Sequence, residues 1–399
     1  MHVVVITGAL SPYHLARMSA AERLMNSHSW RVTTIERVGY QAEYSFFGGA
    51  ETLDITLNRA YTANHPSPTN RESEFQLRQL LSELHPECVV FGRSSPVYLS
   101  VLSWCVEREI PSVLLSASTV YDFKRDAWKE WIKARITQLF AAGFAGGSRQ
   151  RDYLISLGMA SDKVVPGYDV VDNVHFTTGA DLARADAQCF RERLCLPENY
   201  FLACSRFVEK KNLFRLIEAY ADYAKRIGSI AWNLVLVGDG SLRSQVEERI
   251  QSLGLTDRVV LTGLKPYEAL PAYYGLANAF ILASTSEQWG LVVNEAMAAG
   301  LPVLVSDRCG CATDLAQHGV NGFTFNPLDV QELAARMSDV ASHDCDRTAM
   351  GMASREIISH WTPETFAAGL MKAVEHAMEA PRPKASILDK ALLWALGPK

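Results

Sequence analysis

The stretch "AFILASTSEQWGLVVNEAMAAGLPVLVSD", residues 279–307, decides the fold. Two apolar runs, 279–284 and 301–307, flank an almost wholly apolar helix that begins near Gly290, stops at Gly300 and is followed by Pro302. Strand, helix and strand in so short a space read as one unit of a parallel sheet. Two carboxylates break the pattern: Glu287 in the loop before the Trp289-Gly290 break, and Glu295 about one turn into the helix. Val292, Val293, Ala296 and Met297 are the sequence neighbours of Glu295, and a carboxylate buried among them needs a partner. A local Arg or Lys is one; a pair of adjacent sugar hydroxyls, as on a ribose, is another, because an ionised carboxylate accepts two hydrogen bonds.

The same alternation extends outward. "YFLACS" (200–205), "NLVLVG" (233–238) and "RVVLTG" (258–263) read as strands before the quoted unit, with helices centred near residues 219, 247, 273, 295 and 334. In the first half, "HVVVITG" (2–8), "RVTTIE" (31–36), "ECVVFG" (87–92) and "SVLLSAS" (112–118) are the clearest strands, and 72–84 is a helix with Leu77, Leu80, Leu81 and Leu84 on one face. The chain therefore divides into an α/β domain over 1–177, a passage of mixed charge and no strand core over 178–198, and a second α/β domain over 199–360. The helical segments of 361–399 have no strand of their own to cover and are expected to return to the first domain.

Bulk properties exclude several classes. With 399 residues, 48% hydrophobic, 21% charged and a formal net charge of −5, the chain can bury two cores and implies no nucleic-acid partner. Eight cysteines follow no regular framework, and "MHVVVITG" lacks a charged leader, so a cytoplasmic location is expected. Cys309-Gly310-Cys311 is the one close pair, and its spacing does not suit a zinc site, so no metal is expected. No apolar run approaches the ~20 residues that cross a bilayer.

Ligands of open parallel sheets collect outside the carboxyl ends of the strands. After "YFLACS" comes "RFVEKKN", which sets Arg206 and Lys211, with Lys210 beside them, at one strand end before a helix whose N-terminal amides add to the positive field. A diphosphate matches such a loop; solvated helix-entry charges are the alternative. Gly238 and Gly240 in "GDG" permit close backbone approach, and Gly290 and Leu291 offer amides to an anion while Glu287 faces the ligand.

In these residues the chain resembles the retaining glycosyltransferases of family 4. Glu287 and Glu295 match the family's E-x7-E pair, the segment from Ser205 to Asn212 its G-R-x-x-x-x-K-N/G loop, and "LVLVGDGSLR" its V-G-x-G turn. "VVLTGLKPYEALPAYYGLANAFILAS" follows in order and spacing, so that the similarity covers roughly residues 166–380, with a weaker match before them. The resemblance implies the GT-B architecture of two facing Rossmann-like domains with a deep cleft. It also implies a nucleotide-sugar donor and no metal. Arg206, Lys211, Gly290 and Leu291 would then hold the donor diphosphate, Glu295 the ribose and Glu287 the transferred sugar, with Leu264 and Lys265 against the base. UDP-sugars are favoured as donors, GDP-mannose next. Ser205 stands where the family has glycine, and Cys309 and Cys311 enclose one glycine where it shows two. A sugar-nucleotide epimerase of the same architecture and a non-catalytic nucleotide-sugar-binding subunit are the rival readings.

The acceptor side is less defined. His14 and Arg17, at the first strand end, could touch acceptor or lie on a helix surface. Residues 123–140 place Trp128, Trp131, Ile132, Ile136 and Leu139 on one helical face, with Lys124, Arg125, Lys129, Lys133 and Arg135 around it. Such a helix either covers the first domain's sheet or rests on an anionic membrane surface, with "ILDKALLWALG" as a second contact. The second case implies a peripheral enzyme with a saccharide or lipid-linked acceptor in cell-envelope or exopolysaccharide synthesis.

Overall fold

A computed structural model describes residues 1–37, 56–59, 69–93, 95–122, 125–382 and 384–398. The chain forms two compact units, Met1–Val170 with Pro363–Lys399, and Val171–Thr362.

The first unit carries seven described strands, β1 (His2–Thr7), β2 (Arg31–Glu36), β3 (Leu57–Arg59), β4 (Cys88–Phe91), β5 (Ser112–Ser116), β6 (Ala142–Ala145) and β7 (Val164–Pro166). They form one parallel sheet in the order β3-β2-β1-β4-β5-β6-β7. Its helices are α1 (Pro12–Ser27), α2 (Asn70–Leu84), α3 (Pro96–Glu107), α4 (Ala127–Thr137) and α5 (Ser148–Ser156). The second unit holds α6 (Asn173–Ala185), α7 (Ala187–Leu194) and the strands β8 (Tyr200–Cys204), β9 (Asn233–Val237), β10 (Val259–Gly263), β11 (Ala279–Leu282), β12 (Val303–Ser306) and β13 (Gly322–Phe325). These also pair in parallel, in the order β10-β9-β8-β11-β12-β13. Between and after them come α8 (Leu213–Ile227), α9 (Arg243–Ser252), α10 (Leu270–Leu276), α11 (Leu291–Ala298), α12 (Ala312–Leu315), α13 (Val330–Ala341) and α14 (Arg347–Ile358). The chain then returns to the first unit as α15 (Pro363–Glu379) and α16 (Ile387–Leu396).

Helices on both faces explain why the strands read as continuous apolar runs rather than alternating ones. Val3, Val4 and Val5 of β1 and Val89 and Val90 of β4 are all buried. In the second unit α8 turns Leu213, Leu216, Ile217, Tyr220 and Tyr223 to one face, at helical spacing, into a core shared with α13. Each sheet reverses its order once, between β1 and β4 and between β8 and β11. Those two reversals are where loops diverge and a ligand fits.

Four strands escape the sequence reading: β3, β6, β7 and β13, each of three or four residues. "AGFA" in β6 is too short and too small-residued to show a period. The segment 178–198, read as a passage, is instead mostly α6 and α7, and it belongs to the second unit. Its charges face outward while Phe176, Ala180 and Ala183 are buried; Gly179 lies so close to Pro271 of α10 that an added Cβ would be 2.5 Å from that ring.

Arg17 is no surface residue. Its Nε and Nη2 donate to Val170 O at 2.9 and 2.7 Å, its guanidinium lies 3.6 Å from Asp169 and over the Tyr168 ring, and it is buried. It staples α1 to the segment after β7, so the acceptor contact expected of it is replaced by a structural one.

The basic ring expected around 123–140 is also largely consumed. Arg125 and Lys133 both bond Glu130, whose carboxyl is held at about 2 because hydrogen bonds from Lys133, Arg125 and Tyr153 outweigh the desolvation that would raise it. Arg135 bonds Asp389 and Ser386 of α16, and Lys129 lies 2.8 Å from Asp126. Ile136 and Leu139 are core, but Trp128 and Trp131 point outward. Phe123 and Lys124 lie outside the described residues. Among the described residues no helix is long and apolar enough to cross a membrane.

Candidate functional site

The reversal between β8 and β11 brings two loops together that are about 75 residues apart in the chain. Ser205 to Asn212 leaves β8, and Ser284 to Gly290 leaves β11. Backbone and side-chain bonds stitch them: Thr285 N donates to Lys210 O at 2.9 Å, and Asn212, buried and left-handed at φ 59°, donates from Nδ2 to Ala283 O at 3.0 Å and Pro327 O at 2.7 Å. Asn212 thus ends the β8 loop and starts α8. Its asparagine tolerates that φ better than most residues.

The stitching carries Lys211 onto Glu287. Lys211 Nζ bonds Glu287 Oε2, Lys210 Nζ stands 3.9 Å from Oε1, and Ser284 Oγ donates to Oε2 at 3.4 Å. Both members of the pair are close to buried, at 11% and 13% exposure of the side chain, and this decides their energetics: Lys211 is not a solvated surface charge. Burial alone would raise the Glu287 carboxyl, but the charges of Lys211 and Lys210 and the bonds from Lys211 and Ser284 hold it below the ordinary value. A depressed carboxyl contributes stability that is present above its unfolded value and is lost as pH falls through the folded one. We therefore predict that wild type exceeds Glu287→Gln in stability at pH 7 and that the gap narrows as pH falls below 4.5, the ordinary value for the group. Thermal melts of both proteins from pH 7 to pH 3 check this, and a gap independent of pH would refute it.

Glu295 is fully buried in α11, and its Oε2 accepts from Tyr274 Oη at 2.6 Å. The partner that its burial demands thus includes a tyrosine of α10, which sequence reasoning did not name. Trp289 is buried too; its indole N–H donates to Asn294 Oδ1 at 2.9 Å and its ring lies 4.9 Å from that of Trp361. That bond anchors the loop to the first turn of α11.

Two glycines are required by geometry. At Gly238 the backbone has φ 133°, and an added Cβ would come to 1.9 Å from Ser205 O. At Gly290, φ is 111° and a Cβ would be 2.8 Å from Leu282 Cδ2. The first lets the β9 turn close on the β8 loop, where Phe207 N donates to Asp239 O at 2.8 Å; the second opens α11 so that the amides of Gly290 and Leu291 stand at the helix start. Leu264, after β10, is exposed, and Lys265 Nζ lies over the Tyr273 ring.

The "SDRCGCATDL" loop after β12 completes this end of the sheet. Gly310 N donates to Glu287 O at 2.9 Å and Cys311 N to Trp289 O at 3.2 Å, main-chain bonds that brace the Glu287 loop. Both thiols are buried, and burial pushes that of Cys311 well above its ordinary value. Among the described residues no three His, Cys, Asp or Glu side chains gather as a metal site. Arg206, Lys211, Glu287, Gly290 and Leu291 thus flank the β8/β11 reversal, while Leu264 and Lys265 sit two strands away at β10. In the first unit, His14 stands in the first turn of α1 and accepts at Nδ1 from the Ser11 N–H at 3.3 Å, which leaves the proton on Nε2. Burial, with the charge of Arg17, pushes its imidazole down to about 3, so it is neutral near pH 7.

Comparison with known proteins supplies the lineage. Residues 187–357 match the family described as glycosyl transferases group 1. A GDP-mannose-dependent alpha-(1-6)-phosphatidylinositol monomannoside mannosyltransferase of Mycobacterium tuberculosis is 30% identical over 350 residues, 81% of this chain and 86% of that protein. Mannosylfructose-phosphate synthase of Agrobacterium fabrum is 29% identical over 187 residues, 45% of this chain; the chain spans 40% of that relative's length. Among solved structures, Anabaena Alr3699/HepE in complex with UDP is similar over 94% of this chain and 100% of that one, with a TM-score of 0.72 at 18% identity, a likeness of fold.

Proposed function

Because this chain belongs to the group 1 glycosyl transferases, we propose that it moves a hexose from a nucleoside-diphosphate sugar to a saccharide or lipid-linked acceptor, with retention at the anomeric carbon and without a metal. The observation that carries the reading is the meeting of Lys211 and Glu287 at the β8/β11 reversal, with Arg206 on the same loop and the amides of Gly290 and Leu291 opposite. A diphosphate carries charge that these groups match, and the charge grows as the glycosidic bond breaks. In the reaction proposed, the anomeric C–O bond to the diphosphate breaks, and an acceptor oxygen bonds the same carbon on the face being vacated. The acceptor proton passes to a departing phosphate oxygen. No dedicated base is needed; Glu287 positions sugar hydroxyls, and Glu295 with Tyr274 reads the ribose. A lipid-linked acceptor at an anionic membrane surface, in envelope or exopolysaccharide assembly, belongs to the same reading.

The sequence favours UDP-sugars with GDP-mannose next. The relative that is 30% identical over 81% of this chain is named for GDP-mannose, and we place that donor first. Thermal shift against a panel of GDP-, UDP- and ADP-sugars tests the order: a ligand at 100 times its Kd adds about 2.7 kcal/mol. Stabilisation is expected from GDP-mannose above the others. Absence of any shift with every nucleoside diphosphate would overturn the reading, and stabilisation by UDP-sugars alone would restore the first order.

A further inference from the structure

The amino ends of β11 and β12, opposite the edge that carries the donor loops, open on a cavity of about 450 Å³ that the proposed reaction leaves unused. Three arginines line it, Arg184 of α6 and Arg347 and Arg355 of α14, with Asp181 the one carboxylate among the lining residues. Asp181 Oδ1 accepts from Arg184 Nη1 at 2.9 Å and from Arg355 Nη2 at 2.5 Å, so two cations share a single carboxylate. Burial, and after it the charge of Arg355, holds the Arg184 guanidinium below its ordinary value: the second cation is felt despite the shared partner. Arg347 pairs with no carboxylate among the described residues. Its Nη1 donates to Val340 O and Ser342 O at 3.0 and 2.8 Å, and its guanidinium lies 5.2 Å from the centre of the Trp232 ring. The stretch "RTAMGMASR" (347–355) sets both α14 arginines on one helical face, four residues either side of Gly351. Glycine is required at that midpoint, because an added Cβ would come to 2.3 Å from Gly300 O. α14 thus lies flush on the turn that follows α11, with an arginine on each side.

Helix capping accounts for part of this cluster. Arg184 Nη2 donates to Ala299 O at 2.6 Å, and Arg355 Nη2 lies 3.5 Å from the same oxygen, so both serve the carbonyl end of α11. That role needs neither Arg347 nor a cavity. Three cations against one carboxylate leave an excess of two positive charges, on a chain whose net charge is −5. Donors are left over as well: Arg355 Nη1 and Arg347 Nε and Nη2 have no partner among the described residues. A phosphate monoester carries about −1.5 to −2 near pH 7, and its oxygens match the planar fork of an arginine. We infer that this cavity binds a phosphate dianion, free or as the monoester of a small metabolite, with Arg347 and Arg355 as its ligands. Its volume lies in the range of small-molecule sites, about 300–1,000 Å³, and Leu301, Pro302 and Met352 line the room beside the arginines where the body of a monoester fits. The site goes beyond the proposed transfer reaction. It shares no residue with the donor site and stands at the other end of α11 from the Gly290 and Leu291 amides.

Thermal melts across a sodium phosphate series, with chloride balancing the ionic strength, test it. Wild type should melt higher as phosphate replaces chloride. Arg347→Gln should raise the apparent Kd for phosphate at least about tenfold, the loss of a hydrogen bond to a charged group. Thr348→Glu covers the case in which Arg347→Gln fails to fold: the Thr348 side chain is exposed and makes no bond among the described residues, yet a carboxylate there stands at the cavity and should weaken phosphate about fivefold. Arg206→Gln, on the donor loop, should keep the wild-type response. Glucose 6-phosphate in place of phosphate separates the two sources: tighter binding that both cavity variants weaken assigns a monoester, and binding no tighter than that of phosphate assigns the free ion. The inference is overturned if phosphate shifts the melt no more than chloride does, or if Arg347→Gln and Thr348→Glu respond as wild type does. It is overturned equally if Arg206→Gln alone abolishes the response, which would put the ion in the donor loop.

Discussion

Lys211→Ala is expected to lower kcat/KM by about 10²–10³, the loss seen when one preorganised charge stabiliser is removed, and also to destabilise the fold. The second effect follows from the geometry. Lys211 and Glu287 are nearly buried and bonded to each other, and removing one partner of such a pair costs about 3–5 kcal/mol because the other charge is left desolvated. Lys210, 3.9 Å from the same carboxylate, offsets part of this and places the expected cost at the lower end. Glu287→Ala should act similarly. The double variant Lys211→Ala/Glu287→Ala should regain most of the stability and none of the activity, because the orphaned charge is gone but the diphosphate and sugar contacts are too. Denaturant melts and steady-state kinetics of all four proteins complete the cycle. Additive stabilities, or a folded Lys211→Ala with unchanged turnover, would remove Lys211 from the role given to it.

The second large effect concerns ribose. If Glu295 reads the two ribose hydroxyls, wild type should bind a nucleoside diphosphate at least about 10²-fold more tightly than its 2′,3′-dideoxy analogue. A site that holds a buried acceptor rejects a ligand lacking the donor, because the acceptor is then left unsatisfied. Glu295→Ala should erase the discrimination by weakening the ribose form, with little change for the analogue. Tyr274→Phe removes the 2.6 Å bond to Glu295 Oε2 and should cost about 1 kcal/mol of stability while keeping most of the discrimination. Calorimetric titration of the three proteins with both nucleotides decides the matter. Equal binding of the two nucleotides by wild type would leave Glu295 as a structural carboxylate paired with Tyr274.

Much of this site was legible because its residues stand at strand ends. Arg206, Lys211, Gly238, Glu287 and Gly290 all lie in loops that leave apolar runs, and parallel sheets place such loops on one edge whatever the strand order. Glu295 could be singled out because a charge inside an apolar helix demands a partner, although nothing local says that Tyr274, 21 residues earlier, supplies a bond. Arg17 shows the opposite case. In the second turn of the helix after the first strand it looks available to a ligand, yet its guanidinium is bound 153 residues away at Val170 O. The basic residues of 123–140 meet the same limit, since periodicity counts charges but not the carboxylates that pair with them.

By itself, the sequence determined the α/β class, nine of the thirteen described strands and the residues that line the second sheet's edge, because apolar runs, helical spacing and glycine stops are local signals. Tertiary structure alone decided what those residues are to one another. That Lys211 meets Glu287 depends on β11 lying beside β8 rather than after β10, and strand order is set by how helices cover both faces of the sheet, which no local period records. It likewise decided that the last helix turns Asp389 inward to Arg135 and leaves Ile387 and Trp394 facing out, since a half-buried ion pair on one side of a helix fixes which side remains.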